Sequence, residues 1–321
     1  MKRAVADSGD ALRIATRGSA LALWQANRLR DAIERAGRAA EIVVVKTSGD
    51  HFAVASFDQI GLQGVFTKEL EEALFDGRAD VAIHSMKDVP TEFSDACRIL
   101  PIFPRHDPRD ALVSHGGETL EYLRRGARIG TSSLRRASQL RAFRRDFEIC
   151  EIRGNVDTRL RKVEQGDCDA IVLAKAGLDR LGFSSRVAQI LPPEIMLSAV
   201  GQGVLCAEYL AAKADQALRY LEPLSDGDTV LAVSAERALL KDLQGGCRVP
   251  LGAWARFEEG KLRLDARVLS PDGSEAVRRS GAQSCASLDE AVAFGRSIAA
   301  QLLDAGADRI LRLAGRSVGQ S

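Results

Sequence analysis

The chain is poor in aromatic residues and in net charge. Phe, Tyr and Trp make up 5% of its 321 residues, and 45 Lys and Arg stand against 44 Asp and Glu for a formal charge of +1. Surfaces made for nucleic acid combine a basic excess with stacking aromatics, so the chain as a whole is not composed as a nucleic-acid binder. It lacks an apolar run of membrane-spanning length. It also lacks a Cys-x-x-Cys pair. Its cysteines (Cys97, Cys150, Cys168, Cys206, Cys247 and Cys285) are scattered with no His at metal-ligand spacing, which argues against structural zinc and for a reducing, cytoplasmic compartment. Met1 to Asp10 carries Lys2 and Arg3 with no apolar stretch behind them, and so lacks the design of a signal peptide. What the chain has in quantity, 45% hydrophobic and 28% charged residues, is material for an ordinary globular protein of two or three domains.

Leu12 to Thr16 reads as a strand. It runs through Arg17-Gly18-Ser19 into a helix with Ala22, Ala26, Leu29, Ile33 and Ala36 on one face and Gly37 as its stop. Free N–H groups and the positive end of the helix dipole make such a turn an anion site, to which Arg17 adds a planar fork; Ser19 as a plain N-cap is the alternative. Glu41 to Thr47 is a second strand, and the glycine-bearing stretch Ser48 to Gly64 suits an exposed loop able to cover a site. A helix over about Val65 to Asp76 precedes a strand, Asp80 to His84, that empties into Ser85-Met86-Lys87-Asp88-Val89-Pro90. In α/β sheets ligands bind just past the C-terminal ends of strands, which places Lys87 and Asp88 for function.

The pattern then repeats. Ile129-Gly130-Thr131-Ser132-Ser133-Leu134 matches Ile14 to Ser19, Arg153-Gly154-Asn155-Val156 matches Gln63 to Phe66, and Gly166 to Val172 matches Gly77 to Ile83. Three matches in order predict two similar α/β domains with a cleft between them. Charge collects in the second copy: Glu121 to Arg161 holds eleven arginines against five acids. Helical spacing puts Arg135 and Arg136 in a first turn beside Thr131, Ser132 and Ser133, where an anion would sit, and leaves Arg141, Arg144 and Arg145 on a solvated face. Arg153 and Arg159 bracket a second strand-to-helix turn. Several cationic forks in one cleft predict a ligand with several carboxylates or phosphates.

Val200-Gly201-Gln202-Gly203 leads a strand, Val204 to Glu208, that could return to the first domain. Beyond Glu222 the pattern becomes a small α+β domain: a helix over Asp228 to Asp242, three alternating strands near Val249 to Phe257, Lys261 to Leu269 and Glu275 to Gly281, and a last helix opened by a Ser287/Glu290 capping box. Between its first helix and first strand lies Gly245-Gly246-Cys247-Arg248-Val249-Pro250. Glycines and a proline put Cys247 on a tight loop, and Arg248 favours its thiolate; a small apolar plug under the loop is the alternative.

Eight motifs in order resemble the hydroxymethylbilane synthase (porphobilinogen deaminase) family over nearly the whole chain: Ile14 to Ala26, Phe66-Thr67-Lys68-Glu69-Leu70-Glu71, His84 to Pro90, Asp107-Pro108-Arg109-Asp110-Ala111, Gly130 to Arg136, Arg153 to Arg159, Val200 to Gly203 and Gly245-Gly246-Cys247. The resemblance implies two periplasmic-binding-protein-like α/β domains (11–103 with 202–222, and 104–201) plus a small C-terminal α+β domain (223–321) with a three-stranded antiparallel sheet. It implies a dipyrromethane cofactor on Cys247 through a thioether, with Lys87, Arg135, Arg136, Thr131, Ser132 and Ser133 binding it. Asp88 is the implied catalytic residue. Arg17, Ser19, Arg153, Arg159, Phe66 and Gln202 are the implied contacts to porphobilinogen. A monomer, with its product passed to uroporphyrinogen-III synthase, is implied too. The chain departs from the pattern at Gln59 and Gln63, where many relatives carry lysines, and residues before Ala11 look like an extension. Two other readings compete: a two-lobed anion receptor without catalysis, which has no need of Cys247 or of Lys87-Asp88, and a nucleic-acid binder suggested by the arginine cluster alone.

Overall fold

The structure is a computed structural model, and it describes residues 11–46, 68–243 and 249–318. The chain divides into two compact units. One holds the described residues up to Pro104 together with Leu205–Asp226; the other holds Arg105–Val204 and the chain from Gly227 onward.

The first unit is built on β1 (Leu12–Thr16), β2 (Ala40–Val44), β3 (Val81–Ser85) and β4 (Cys97–Ile102), joined by β10 (Leu205–Leu210) in the order β2-β1-β3-β10-β4. The first three are parallel, while β10 runs antiparallel between β3 and β4. Parallel strands need a crossover, and α1 (Ala20–Arg35) supplies the first. Three of its five predicted stripe residues pack: Ala26, Leu29 and Ile33 are buried against Leu12, Ile14, Val81 and Ile83, while Ala22 is half-buried and Ala36, the C-cap, is exposed. Alternate strand positions face the other way, where Ala15 and Ala82 meet Leu70, Ala73 and Leu74 of α2 (Lys68–Phe75). The period of two along the strands thus gives the sheet two dry faces, each covered by a helix.

The second unit repeats this order. Its first sheet is β7-β6-β8-β5-β9, from β5 (Asp110–Ser114), β6 (Arg128–Gly130), β7 (Glu148–Cys150), β8 (Ala170–Ala174) and β9 (Gln189–Ile190). Parallel β7, β6 and β8 correspond to β2, β1 and β3, and antiparallel β5 stands where β10 stands in the first. Crossovers are α3 (Leu134–Phe143) and α4 (Val156–Glu164), and α5 (Lys175–Arg180) follows β8. The same unit holds an antiparallel sheet of β11 (Leu251–Glu258), β12 (Lys261–Leu269) and β13 (Ala276–Gln283), packed on α7 (Gly227–Asp242) and α8 (Leu288–Asp304), with α6 (Ala214–Leu221) in the first unit and α9 (Ala307–Val318) closing the chain. The Ser287/Glu290 capping box opens α8 as predicted. Helices α7 and α8 approach so closely at Gly295 that a Cβ there would sit 2.1 Å from the Ala235 carbonyl oxygen.

Two arginines expected on a solvated face are not there. Arg144 stacks on Phe147, pairs with Asp146 at 2.7 Å and donates to the Leu120 and Leu123 carbonyls, while Arg141 donates to the Pro271 carbonyl. Helical spacing ranks positions by facing direction and carries no information on loops that fold back over them.

Candidate active site

In the first sheet, β1 and β3 are parallel neighbours, so the residues that follow them emerge at one edge. There stand Arg17 and Ser19 after β1, and Lys87 and Asp88 in the single 3-10 turn after β3. Met86 and Val89 are buried and pin that turn from both sides, leaving Lys87 half-buried and Asp88 exposed. Gln25 of α1 donates to the Ser85 hydroxyl at 2.8 Å and ties the helix to the end of β3. The Ser19 hydroxyl accepts from the Ala22 N–H at 3.3 Å and so caps α1.

Below this edge, on the face under α2, lies a buried acid cluster. His84 Nε2 is 2.9 Å from Glu208 Oε2, with side chains only 6% and 2% exposed. Glu71 of α2 hydrogen-bonds Glu208 as well, and burial, with the Glu208 charge beside it, raises its pKa to about 7. Burial and the same glutamate push the Cys97 thiol up to about 12. Burial and the neighbouring negative charge thus favour the protonated form of Glu71.

The second sheet brings its predicted residues together. Adjacent parallel strands β6 and β7 end at one edge, and the turns that follow are stitched to each other: Thr131 N–H donates to the Cys150 carbonyl at 2.9 Å and the Ser132 hydroxyl to the Ile152 carbonyl at 2.8 Å. Thr131 Oγ1 accepts from the Ser133 N–H at 3.1 Å. Neither Ser133 at the start of α3 nor Asn155 at the start of α4 caps its helix with its side chain, in contrast to Ser19. Two helix N-termini without side-chain caps at one sheet edge present N–H groups to an anion. Arg153, half-buried and bonded to Glu151, leads into α4; Arg159 reaches back to the Gly154 carbonyl at 2.7 Å.

Arg135 and Arg136 do not stand open beside that edge. They are 5% and 7% exposed, and both bond the fully buried carboxylate of Asp110 at 2.7 Å. Arg135 also donates to the Leu197 carbonyl and Arg136 to that of Val172. Burial alone would raise the Asp110 pKa, but the two guanidiniums outweigh it and hold the carboxyl well below its usual range. Two cations on one carboxylate leave a net positive charge beneath the Thr131–Ser133 turn. Gln202, expected at the ligand, is 1% exposed and donates to the Pro108 carbonyl at 2.6 Å and to Asp110 at 3.1 Å, so its side chain is a brace for this trio.

Asp110 and Glu208 are the buried carboxylates near these edges that spacing and composition missed. Each begins or interrupts an apolar strand, Asp110-Ala111-Leu112-Val113 and Leu205-Cys206-Ala207-Glu208, and a carboxylate there needs a buried partner. The signal was present in the strand pattern; the partner's identity was not. Cys247, Phe66, Gln59 and Gln63 lie outside the described residues. Against a dipyrromethane, the described donor set fits: N-terminal N–H groups, hydroxyls and a buried net positive charge match its carboxylates.

Residues 12–218 match the family model described as porphobilinogen deaminase, dipyromethane cofactor binding domain, and residues 230–304 match that of the porphobilinogen deaminase C-terminal domain. The porphobilinogen deaminase of Syntrophobacter fumaroxidans is 46% identical over 302 residues, 94% of this chain and 96% of its own. That of Syntrophotalea carbinolica is 46% identical over 306 residues, 95% of this chain and 96% of its own. Among solved structures, the periplasmic aliphatic sulphonate binding protein of Escherichia coli is similar with a TM-score of 0.38 and 16% identity, over 74% of this chain and 71% of that one. Matched along nearly its full length, with the cofactor-binding region covering both of the repeated sheets, the chain belongs to the porphobilinogen deaminase family.

Proposed function

We propose that the chain is a transferase that condenses four porphobilinogen molecules head to tail, with loss of ammonia at each addition, and hydrolytically releases linear hydroxymethylbilane. The observation that carries this is the pair of helix starts without side-chain caps at the edge of β6 and β7, backed by the net charge of the Asp110 trio. Porphobilinogen brings an acetate and a propionate, so a growing chain needs repeated seats for carboxylates. The dipyrromethane held at Cys247 supplies the pyrrole end to which the first unit is joined.

On this reading Thr131, Ser132, Ser133 and Lys87 hold cofactor carboxylates, with Arg135 and Arg136 acting from below through their charge. Arg17, Arg153 and Arg159 hold the acids of porphobilinogen, and Phe66 is a further substrate residue that the family resemblance implies. Ser19 and Gln202 position the helix and the trio. Asp88, presented by a turn pinned at Met86 and Val89, faces the positive charge that develops on the pyrrole as ammonia leaves, and takes the ring proton afterwards. A fixed carboxylate needs no reorganisation at that moment, which is why the pinned turn matters. The same reading makes the chain a cytoplasmic monomer of three domains, divided at 104, 202 and 223, whose product goes to uroporphyrinogen-III synthase. No described helix is long and apolar enough to cross a membrane.

The test is the intact denatured mass of the purified chain beside that of Cys247→Ser. Added mass equal to a dipyrromethane, absent from the variant, supports the reading. A chain that stays unmodified after incubation with porphobilinogen sinks it and leaves an anion receptor.

A further inference from the structure

The last two residues of β3 are each tied by a side-chain hydrogen bond, one on each face of the sheet. Ser85 points to the α1 face, as Val81 and Ile83 do, and its hydroxyl accepts from Gln25 of α1 at 2.8 Å. His84 points the other way, under α2, where its Nε2 meets Glu208 Oε2 of β10 at 2.9 Å. β10 runs antiparallel beside β3 with Glu208 opposite Ala82 and Cys206 opposite His84, so the pair is a diagonal one across the two strands. Both members are buried in a layer that Leu70, Ala73 and Leu74 otherwise make apolar. A buried polar pair of this kind adds no more stability than well-packed apolar side chains would, so stability alone does not account for it. Asp88 lies four residues beyond His84, and its turn grows directly out of the β3 end: Met86 is buried, and the Val89 N–H donates back to the Met86 carbonyl at 3.2 Å.

We propose that Glu208 is a positioning residue for Asp88: by holding His84 it fixes the end of β3, and with it the turn that presents the Asp88 carboxylate to the developing pyrrole cation. This rests on the proposed condensation of porphobilinogen and on the part given there to Asp88. Glu208, buried on the α2 face, acts on the reaction only through His84. Without it the strand end is held from the α1 face alone, by the bond between Gln25 and Ser85. A displacement of about 1 Å at a reacting group can cost on the order of 100-fold in rate. The acids of porphobilinogen are held by Arg17, Arg153 and Arg159, which stand on other segments, so substrate binding survives a shift of this turn.

The experiment measures steady-state ammonia release from porphobilinogen by the full chain, with kcat expressed per chain that carries the dipyrromethane by intact mass. Glu208→Leu should lower kcat roughly 10- to 100-fold and leave KM within about twofold of wild type. Glu208→Gln, whose amide both accepts and donates, keeps a bond to either ring tautomer of His84 and should hold kcat within about threefold of wild type. Glu208→Leu combined with His84→Leu makes the site apolar throughout; its urea midpoint should move back toward wild type while kcat stays as low as in Glu208→Leu. If Glu208→Leu alone does not fold, the double variant carries the comparison with Glu208→Gln. A Glu208→Gln chain as slow as the leucine variants, a double variant that regains kcat, or a loss confined to KM would overturn the proposal. A wild-type chain that releases no ammonia would instead remove the proposed function, and this inference with it.

Discussion

Replacing Glu71 by Gln should stabilise the first unit, and only above about pH 5. Glu71 ionises near pH 4.5 when unfolded and near pH 7 in the fold, because burial and the neighbouring Glu208 disfavour its charge. A raised folded value means that stability is complete below about pH 4.5, falls as pH rises toward 7, and is then level. A pKa that differs by one between the folded and unfolded chain corresponds to about 1.4 kcal/mol. For a half-buried group, solvent screening reduces the total, and about 1–2 kcal/mol is expected in all. Gln is a neutral isostere that keeps the hydrogen bond to Glu208 without the proton. Urea unfolding at pH 5, 6, 7 and 8 reads the difference. Trp24, packed on the first unit's core, and Trp254, in the antiparallel sheet of the second, are the two tryptophans, so Trp254→Phe leaves a fluorescence reporter of the first unit alone. Wild type should lose stability from pH 5 to 7 while Glu71→Gln holds level. Parallel curves for the two proteins would refute the raised folded value at Glu71.

Three further outcomes follow from the same geometry. Asp110→Ala leaves two guanidiniums buried without a counter-charge and should cost about 3–5 kcal/mol in chemical denaturation. Arg153→Leu should leave the unfolding midpoint nearly unchanged, since its pair with Glu151 is exposed, yet raise KM for porphobilinogen roughly 10- to 100-fold through loss of a charge-assisted bond. Asp88→Asn should purify folded and lose roughly 100-fold or more in kcat, read as ammonia release.

How much of this was legible depended on which interactions are local. The helix stripe of α1, the Ser287/Glu290 box and the three strands of the antiparallel sheet are set by residues within a few positions of one another, and the structure has them within about two or three residues of the expected bounds. The repeat was legible because Ile14 to Ser19 and Ile129 to Leu134 keep their order, and both sheets follow it. Partners distant in sequence were not legible. Nothing near Arg135 and Arg136 announces Asp110 some 25 residues upstream, so two fully burdened guanidiniums read as open forks. Glu208 lies 124 residues from His84, and nothing in the sequence joins the two.

The two copies also show why one scaffold used twice need not bind twice in the same way. In the first copy the helix after β1 is closed by its own Ser19, so its terminal N–H group at Ala22 is already bonded. In the second, Ser132 turns to the Ile152 carbonyl and Thr131 accepts from Ser133, leaving the start of α3 without a side-chain cap. Leaving a helix start uncapped costs about 1 kcal/mol of stability. Here a net positive charge lies buried directly below, which makes an anionic ligand the natural partner for those N–H groups. On the proposed function, the second copy therefore supplies most of the carboxylate contacts, with Arg17 and Lys87 added by the first, and Asp88 on the pinned turn of the first handles the developing cation. Adding a cap to α3 through Ser133→Asp tests that division: it should stabilise the second unit by up to about 1 kcal/mol while weakening retention of the carboxylate-bearing ligand. A variant both more stable and fully able to assemble its tetrapyrrole would show that the open helix start is not where the acids bind.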